Sequence, residues 1–254
     1  LRVNPHEACN VSADYRDRVY QSYATTRPKS LTPKTVDSFN PQAPYLRRII
    51  RSHFPTDKSA SILELGCGSG MFVYFIREAG YRNVIGIDTS AEQIAVANKL
   101  GIEGVREGDL FETLSSLAHE SCDVVLMCDV LEHFRKDEMF DVADEIHRVL
   151  RGEGKWILRV PNAQAPFAMG MRYGDLTHQQ VFTMDSLSQL LRASGFRSVA
   201  GCDDAPIVSD LKSALRAVLW QSMRAWLRLW LSVETGGLAR TALFSQNFIA
   251  VATK

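Results

Sequence analysis

The sequence predicts an α/β fold built on a mostly parallel sheet. Three features carry that expectation. From residue 61 onward, apolar runs of strand length alternate with helix-length amphipathic segments, which is how βαβ units read. A glycine-rich turn, Gly66-Cys67-Gly68-Ser69-Gly70, directly follows the first run and opens a helix, where residues without a Cβ let the backbone turn sharply. The run at 122–128 is apolar without alternation at 124–127, as burial on both faces demands.

Residues 1–58 are polar and broken by Pro5, Pro28, Pro33, Pro41, Pro44 and Pro55. They predict an irregular N-terminal extension with short helices, the last over 45–52. The domain proper is expected over 59–254. Strand 61–65 leads to a helix over 70–79 that Gly80 closes. Strand 83–87 follows, then a helix to Leu100 that starts at Ser90, three residues before Gln93 in capping-box spacing. Next come a short strand at 104–106, strand 122–128 and a helix over 137–150. That helix carries Phe140, Ala143, Ile146, His147 and Leu150 on one stripe. A strand at 155–160 stops at Pro161. Thr183 caps a helix over 184–193, closed by Gly195. Final strands are read at 196–201 and 247–253, with a long inserted helix over 210–233 between them.

That late helix is unusual. Leu211, Ala214, Leu215, Val218, Leu219, Met223, Trp226, Leu227, Trp230 and Leu231 recur at three- and four-residue steps, while Lys212, Arg216, Trp220, Arg224 and Arg228 step by four along a flank. Basic residues beside a Trp- and Leu-rich face suit an interfacial membrane helix over 211–231. A homodimer contact or packing on the domain explains the same stripe. The arginines forbid a transmembrane span.

Composition excludes several classes. The 254 residues carry 29 Lys+Arg against 29 Asp+Glu, so no broad basic footprint exists and no nucleic-acid partner is expected. Five scattered cysteines without a CxxC pair are neither a disulfide framework nor a zinc site, and fit a reducing compartment. The opening LRVNPHEACN has no apolar h-region, so no secretory leader is expected.

In Glu64-Leu65-Gly66-Cys67-Gly68-Ser69-Gly70 the glycines hold first, third and fifth places. A dinucleotide fingerprint needs the sixth, where Met71 stands, which opposes a nicotinamide oxidoreductase. With its preceding acid, this spacing resembles the first motif of class I S-adenosylmethionine (SAM) dependent methyltransferases. The resemblance extends through Gly86-Ile87-Asp88, Glu107-Gly108-Asp109-Leu110 and Cys128-Asp129-Val130-Leu131-Glu132-His133, all at strand carboxyl ends. It implies a Rossmann-like, doubly wound sheet of seven strands with the last antiparallel, and SAM as cofactor. Glu64, Gly66, Cys67, Gly68 and Gly70 would cradle SAM, Asp88 and Thr89 would take its ribose, and Asp109 and Leu110 its adenine. Cys128 and Asp129 would line the transfer cleft. The extension, with Tyr15, Tyr20 or Tyr23, would close over the cofactor. Cys67 reads as a small filler, since no basic neighbour activates it.

An oxygen acceptor must lose its proton near transfer, and a general base contributes roughly 10²–10⁴-fold. Histidine serves near neutral pH. His178 lies in Arg172-Tyr173-Gly174-Asp175-Leu176-Thr177-His178, within a long loop after the fifth strand, where function concentrates. It is read as the base with Asp175 orienting it, and His133 as the other candidate. Asp129, Glu132 and His133 could hold a divalent ion, but no metal is expected. Together with Val160-Pro161-Asn162-Ala163, Phe182-Thr183, Leu211-Lys212-Ser213-Ala214-Leu215-Arg216, Glu234-Thr235-Gly236 and Ser245-Gln246-Asn247-Phe248-Ile249-Ala250, this stretch is similar to methyltransferases of bacterial polysaccharide and lipopolysaccharide synthesis. That likeness implies O-methylation of a sugar, with a nucleotide-sugar, lipid-linked glycan or growing glycan as acceptor. It places the protein in the cytoplasm, peripheral on the inner face of the membrane if 211–231 meets lipid. Arg159 or Arg172 would then meet a sugar nucleotide. Two rivals remain: the same chemistry on a lipid-like or natural-product hydroxyl, and a SAM-binding protein without turnover.

Overall fold

Seven strands form one sheet in the order β3-β2-β1-β4-β5-β7-β6. They are β1 Ser61–Leu65, β2 Asn83–Asp88, β3 Val105–Glu107, β4 Cys122–Cys128, β5 Leu150–Pro161, β6 Ser198–Asp203 and β7 Asn247–Thr253. The structure, a computed structural model, describes residues 15–20, 32–208, 210–237 and 242–254. Neighbours from β3 to β5 pair in parallel, and β7 runs antiparallel to both β5 and β6. Strand order reverses between β1 and β4, which opens a crevice at their carboxyl ends.

The helices are α1 Tyr15–Tyr20, α2 Ala43–His53, α3 Met71–Glu78, α4 Ala91–Lys99, α5 Leu110–Ser116, α6 Lys136–Val149, α7 Ala168–Gly174, α8 Met184–Ala193 and α9 Leu211–Thr235. Successive strand residues point to opposite faces, so the sheet serves two cores. Ile62, Val124, Leu126 and Ile157 meet Ile49, Phe72, Phe75, Ile76 and Ile94 from α2, α3 and α4. Leu63, Val125, Met127 and Trp156 meet Leu114, Val142, Ile146, Leu187 and Leu191 from α5, α6 and α8. Two helices stand where the sequence shows none: α5, which Asp109 caps by accepting from the Glu112 N–H at 2.9 Å, and α7, inside the long loop.

The late helix α9 turns its hydrocarbon outward. Leu211, Leu215, Val218, Leu219, Trp226, Leu229, Trp230 and Val233 are each more than half exposed. Two of its cations turn inward instead. Arg224 pairs at 2.9 Å with Asp203, whose side chain is 3% exposed, and Arg228 donates to the Ala242 carbonyl at 3.2 Å. The basic flank read from the sequence is therefore split, because the buried carboxylate at the end of β6 needs a counter-charge. Among the described residues no helix is long and apolar enough to cross a membrane.

Asp203 also accepts from the Phe244 and Ser245 N–H groups at 2.8 and 3.0 Å. Burial pushes its carboxyl up, but these N–H groups and Arg224 together hold it below the usual carboxylate range. Its stabilisation is thus full above the unfolded value of about 3.9 and fades as pH falls through the lower folded value. Asp203→Ala should cost about 3–5 kcal/mol at pH 7. In thermal melts, the gap to the parent chain should narrow below about pH 4.

Candidate active site

The turn after β1 is closed by one carbonyl. The N–H groups of Gly66 and Cys67 both donate to Ile87 O, at 2.8 and 3.0 Å, which ties the loop to the end of β2. Gly66 has φ +73°, and a Cβ there would lie 2.2 Å from Val130 Cγ2. Only glycine meets both conditions. Gly70, also left-handed at φ 77°, precedes α3 as its N-cap. Asp88 then locks the arrangement: its carboxylate accepts from the Gly68 N–H at 2.7 Å and the Ser90 N–H at 2.8 Å. Burial raises the Asp88 carboxyl, partly offset by those two donors.

Glu64 lies beneath the turn, 4% exposed, and its Oε2 has no hydrogen-bond partner. Burial and then the nearby Asp88 charge push its carboxyl well up. The Cys67 thiol is likewise pushed up, by burial and then by Glu64 and Asp88, so it stays protonated. Asp109 spends one carboxylate oxygen capping α5. Thr89, Asp109, Leu110, Cys128 and Asp129 all line the same cleft, whose volume is about 1310 Å³. Ligand pockets of roughly 300–1,000 Å³ hold one drug-sized molecule, so there is room for a nucleoside and a second reactant.

The other wall grows from the end of β4. Asp129 adopts φ 55°, a left-handed conformation uncommon outside glycine. Its carboxylate pairs with Arg159, which also holds Asp204 at 2.9 Å. A single 3-10 turn, Leu131–His133, follows. The Glu132 carbonyl accepts from the Gln179 and Gln180 N–H groups at 2.7 and 3.1 Å, and this delivers the distant His178 to the site. The imidazoles of His133 and His178 meet edge to face, their centroids 4.7 Å apart.

Each ring is fixed by its Nδ1. That of His178 donates to the Met171 carbonyl at 2.7 Å. That of His133 meets Thr177 Oγ1 at 2.8 Å, and Thr177 passes its own hydroxyl proton toward Asp175 at 2.6 Å. Asp175 therefore supports His133 through Thr177, not His178 as the sequence spacing suggests; α7 supplies the His178 contact instead. Both rings keep Nε2 as the basic nitrogen. Arg172 donates to the His178 carbonyl, and Arg159 lies between two carboxylates. Both arginines are thus engaged within the protein. The sequence reading also gave no role to Thr177, Met171 or Arg16. Arg16 on α1 donates to the His133 carbonyl at 3.1 Å and pairs with Glu138 at 2.8 Å. Tyr20 approaches the His133 ring at 6.1 Å, and burial pushes its hydroxyl up to about 12. The Tyr15 hydroxyl meets the Gln179 amide. Tyr23 lies outside the described residues.

A family model described as a methyltransferase domain matches residues 39–200. The chain belongs to this methyltransferase family. Among solved structures, a SAM-dependent methyltransferase from Archaeoglobus fulgidus shares 22% identity and a TM-score of 0.61, over 86% of this chain and 97% of that one. An S-adenosylmethionine-dependent methyltransferase from Mesorhizobium loti shares 18% identity and a TM-score of 0.56, over 85% and 100%. Phosphoethanolamine N-methyltransferase 2 of Haemonchus contortus shares 14% identity and a TM-score of 0.58, over 92% and 59%. No curated protein sequence matches it. The fold is that of the SAM-dependent methyltransferases, as the motifs imply. The crevice of this methyltransferase fits SAM: the buried Glu64 with its bare oxygen and the half-buried Asp88 suit a ligand with a cationic end and a ribose diol, and the space beside Gly68 is open.

Asp88 would hold the ribose, and hydrogen bonds to a charged group contribute about 1.5–3 kcal/mol each. Asp88→Ala should weaken S-adenosylhomocysteine binding roughly 100-fold in calorimetry. Gly66→Ala should weaken it comparably, because its Cβ displaces Val130.

Proposed function

We propose that this methyltransferase transfers the methyl group of SAM to a hydroxyl of a sugar or glycan. The observation that carries the reading is the juxtaposition of the glycine-turn crevice with two imidazoles whose tautomers are fixed, across one cleft. When bound, SAM supplies a methyl carbon on a cationic sulfur, so the acceptor oxygen takes the methyl and S-adenosylhomocysteine is left. The chain's own part is placement and proton handling. Glu64 and Asp88 orient the cofactor's cationic end and ribose. Glu132, His133 and His178 stand where the acceptor oxygen arrives and receive its hydroxyl. Arg16, Gln42, Asp129, Asp175, Gln246 and Asn247 add polar groups to a wall that also carries Tyr20, Phe111, Phe134 and Met171, and those polar groups suit a polyhydroxyl acceptor. Helix α1, packed on the 133 and 177 segments, serves as the inner part of a lid.

The outward face of α9 supports a membrane-surface location and hence a lipid-linked acceptor. That face is rich in hydrocarbon, Trp226 and Trp230 stand on it edge to face at 4.9 Å, and Lys212, Arg216 and Glu234 are exposed on the same helix. With only two outward cations, attraction to anionic lipid supplies about 2 kcal/mol, and hydrocarbon burial supplies the rest.

Two measurements test this. Tritiated methyl should pass from SAM to a lipid-linked glycan or a nucleotide sugar, and His178→Ala should lower that rate at least about 100-fold while S-adenosylhomocysteine binding holds; incorporation only into phenols would turn the reading to the small-molecule rival. The chain should pellet with anionic liposomes, and Trp226→Ser with Trp230→Ser should abolish this. Pelleting unaffected by those changes removes the membrane role of α9.

A further inference from the structure

We propose that Glu132, His133 and His178 form a binding site for a first-row divalent metal cation. The sequence expects no metal; three-dimensional chemistry argues otherwise. Glu132 is 1% exposed, and neither of its carboxylate oxygens has a hydrogen-bond partner. A buried carboxylate in that condition costs several kcal/mol unless a proton or a cation joins it.

A proton on Glu132 would remove the charge but would leave both oxygens without a hydrogen-bond partner. The nearest basic nitrogen, His178 Nε2, is 3.9 Å from Glu132 Oε1, too far for a hydrogen bond. His178 spends Nδ1 on Met171 O, which leaves Nε2 as its lone-pair nitrogen, and Thr177 Oγ1 holds the Nδ1 of His133. Ligand atoms from the three residues lie within 4.8 Å of one another. Metal–ligand bonds of about 2.0–2.2 Å place tetrahedral ligands about 3.4 Å apart, so an inward shift of under about an ångström by each ligand atom seats a cation. The surroundings are also those of a metal site: one imidazole donates to a backbone carbonyl and the other reaches a carboxylate through Thr177, which fixes ring orientation. Two imidazoles and one carboxylate suit Zn²⁺, Fe²⁺ or Mn²⁺, and three protein ligands leave open positions.

This deepens the proposed function and rests on it: the three residues line the cleft, so the cation would take the acceptor's hydroxyl oxygen and make it more acidic, its proton passing to solvent in the cleft as the methyl arrives. The imidazoles would then be ligands and not free bases.

The test is metal binding by the full chain after chelator stripping, without cofactor. Mn²⁺ is followed by loss of its free electron-paramagnetic signal, and Zn²⁺ by competition with a chromophoric chelator. One cation per chain should bind with a dissociation constant below about 0.1 mM. Glu132→Gln and His178→Ala should each weaken it at least about 100-fold, and Thr177→Val, a change of nearly equal volume, about 10-fold. Binding of S-adenosylhomocysteine within twofold of the parent certifies the fold of each variant. If the parent chain takes up neither ion below about 1 mM, or if Glu132→Gln and His178→Ala bind as the parent does, the site is an internal Glu132–His178 pair and the proposal is overturned. Cation uptake without S-adenosylhomocysteine binding would uphold the metal site and bring down the cofactor reading alone.

Discussion

One carbonyl oxygen organises this protein. Ile87 O, at the end of β2, receives two N–H groups from the turn after β1. That pair of hydrogen bonds turns the chain back over the sheet within two residues, with Gly66 at a left-handed φ that favours glycine. The same constraint packs Gly66 against Val130, so the cofactor loop and the segment leading to Glu132 and His133 are in direct contact. It also brings Gly68 onto Asp88. The two halves of the cleft are therefore a single rigid object, and substitutions on either side of the Gly66–Val130 contact are felt by the other.

Much of the fold was legible because strands buried on both faces leave long apolar runs, and because caps such as Ser90 and Thr183 mark helix starts. All seven strands fall where those runs place them. Helix α5 escaped because seven residues show too little periodicity, although its cap, Asp109, was visible. Helix α7 escaped because AMGMRYG carries two glycines, which argue for a loop.

The site was legible as a set of residues and less so as a set of partnerships. Glycine spacing and strand-end acids show without any structure, since backbone conformation dictates them. Which group supports which imidazole does not show. Asp175 is three residues from His178, yet Thr177 stands between and diverts it to His133. Glu132 is joined to the 178 segment by backbone N–H groups, and those leave no mark on residue type. Its orphaned oxygens are likewise a property of packing alone. Asp129, held at positive φ by the Arg159 contacts, stores local strain beside this cluster, as functional sites commonly do.

Periodicity revealed the stripe on α9 but not its direction, which Asp203 decides by drawing Arg224 inward. An ordinary surface helix hides its greasy side; this helix shows its hydrocarbon to solvent and turns two of its arginines inward. Exposed strips of this kind find one another in plain buffer. The concentration at which the purified protein stays dispersed should therefore rise when detergent covers this strip, however stable the sheet beneath it.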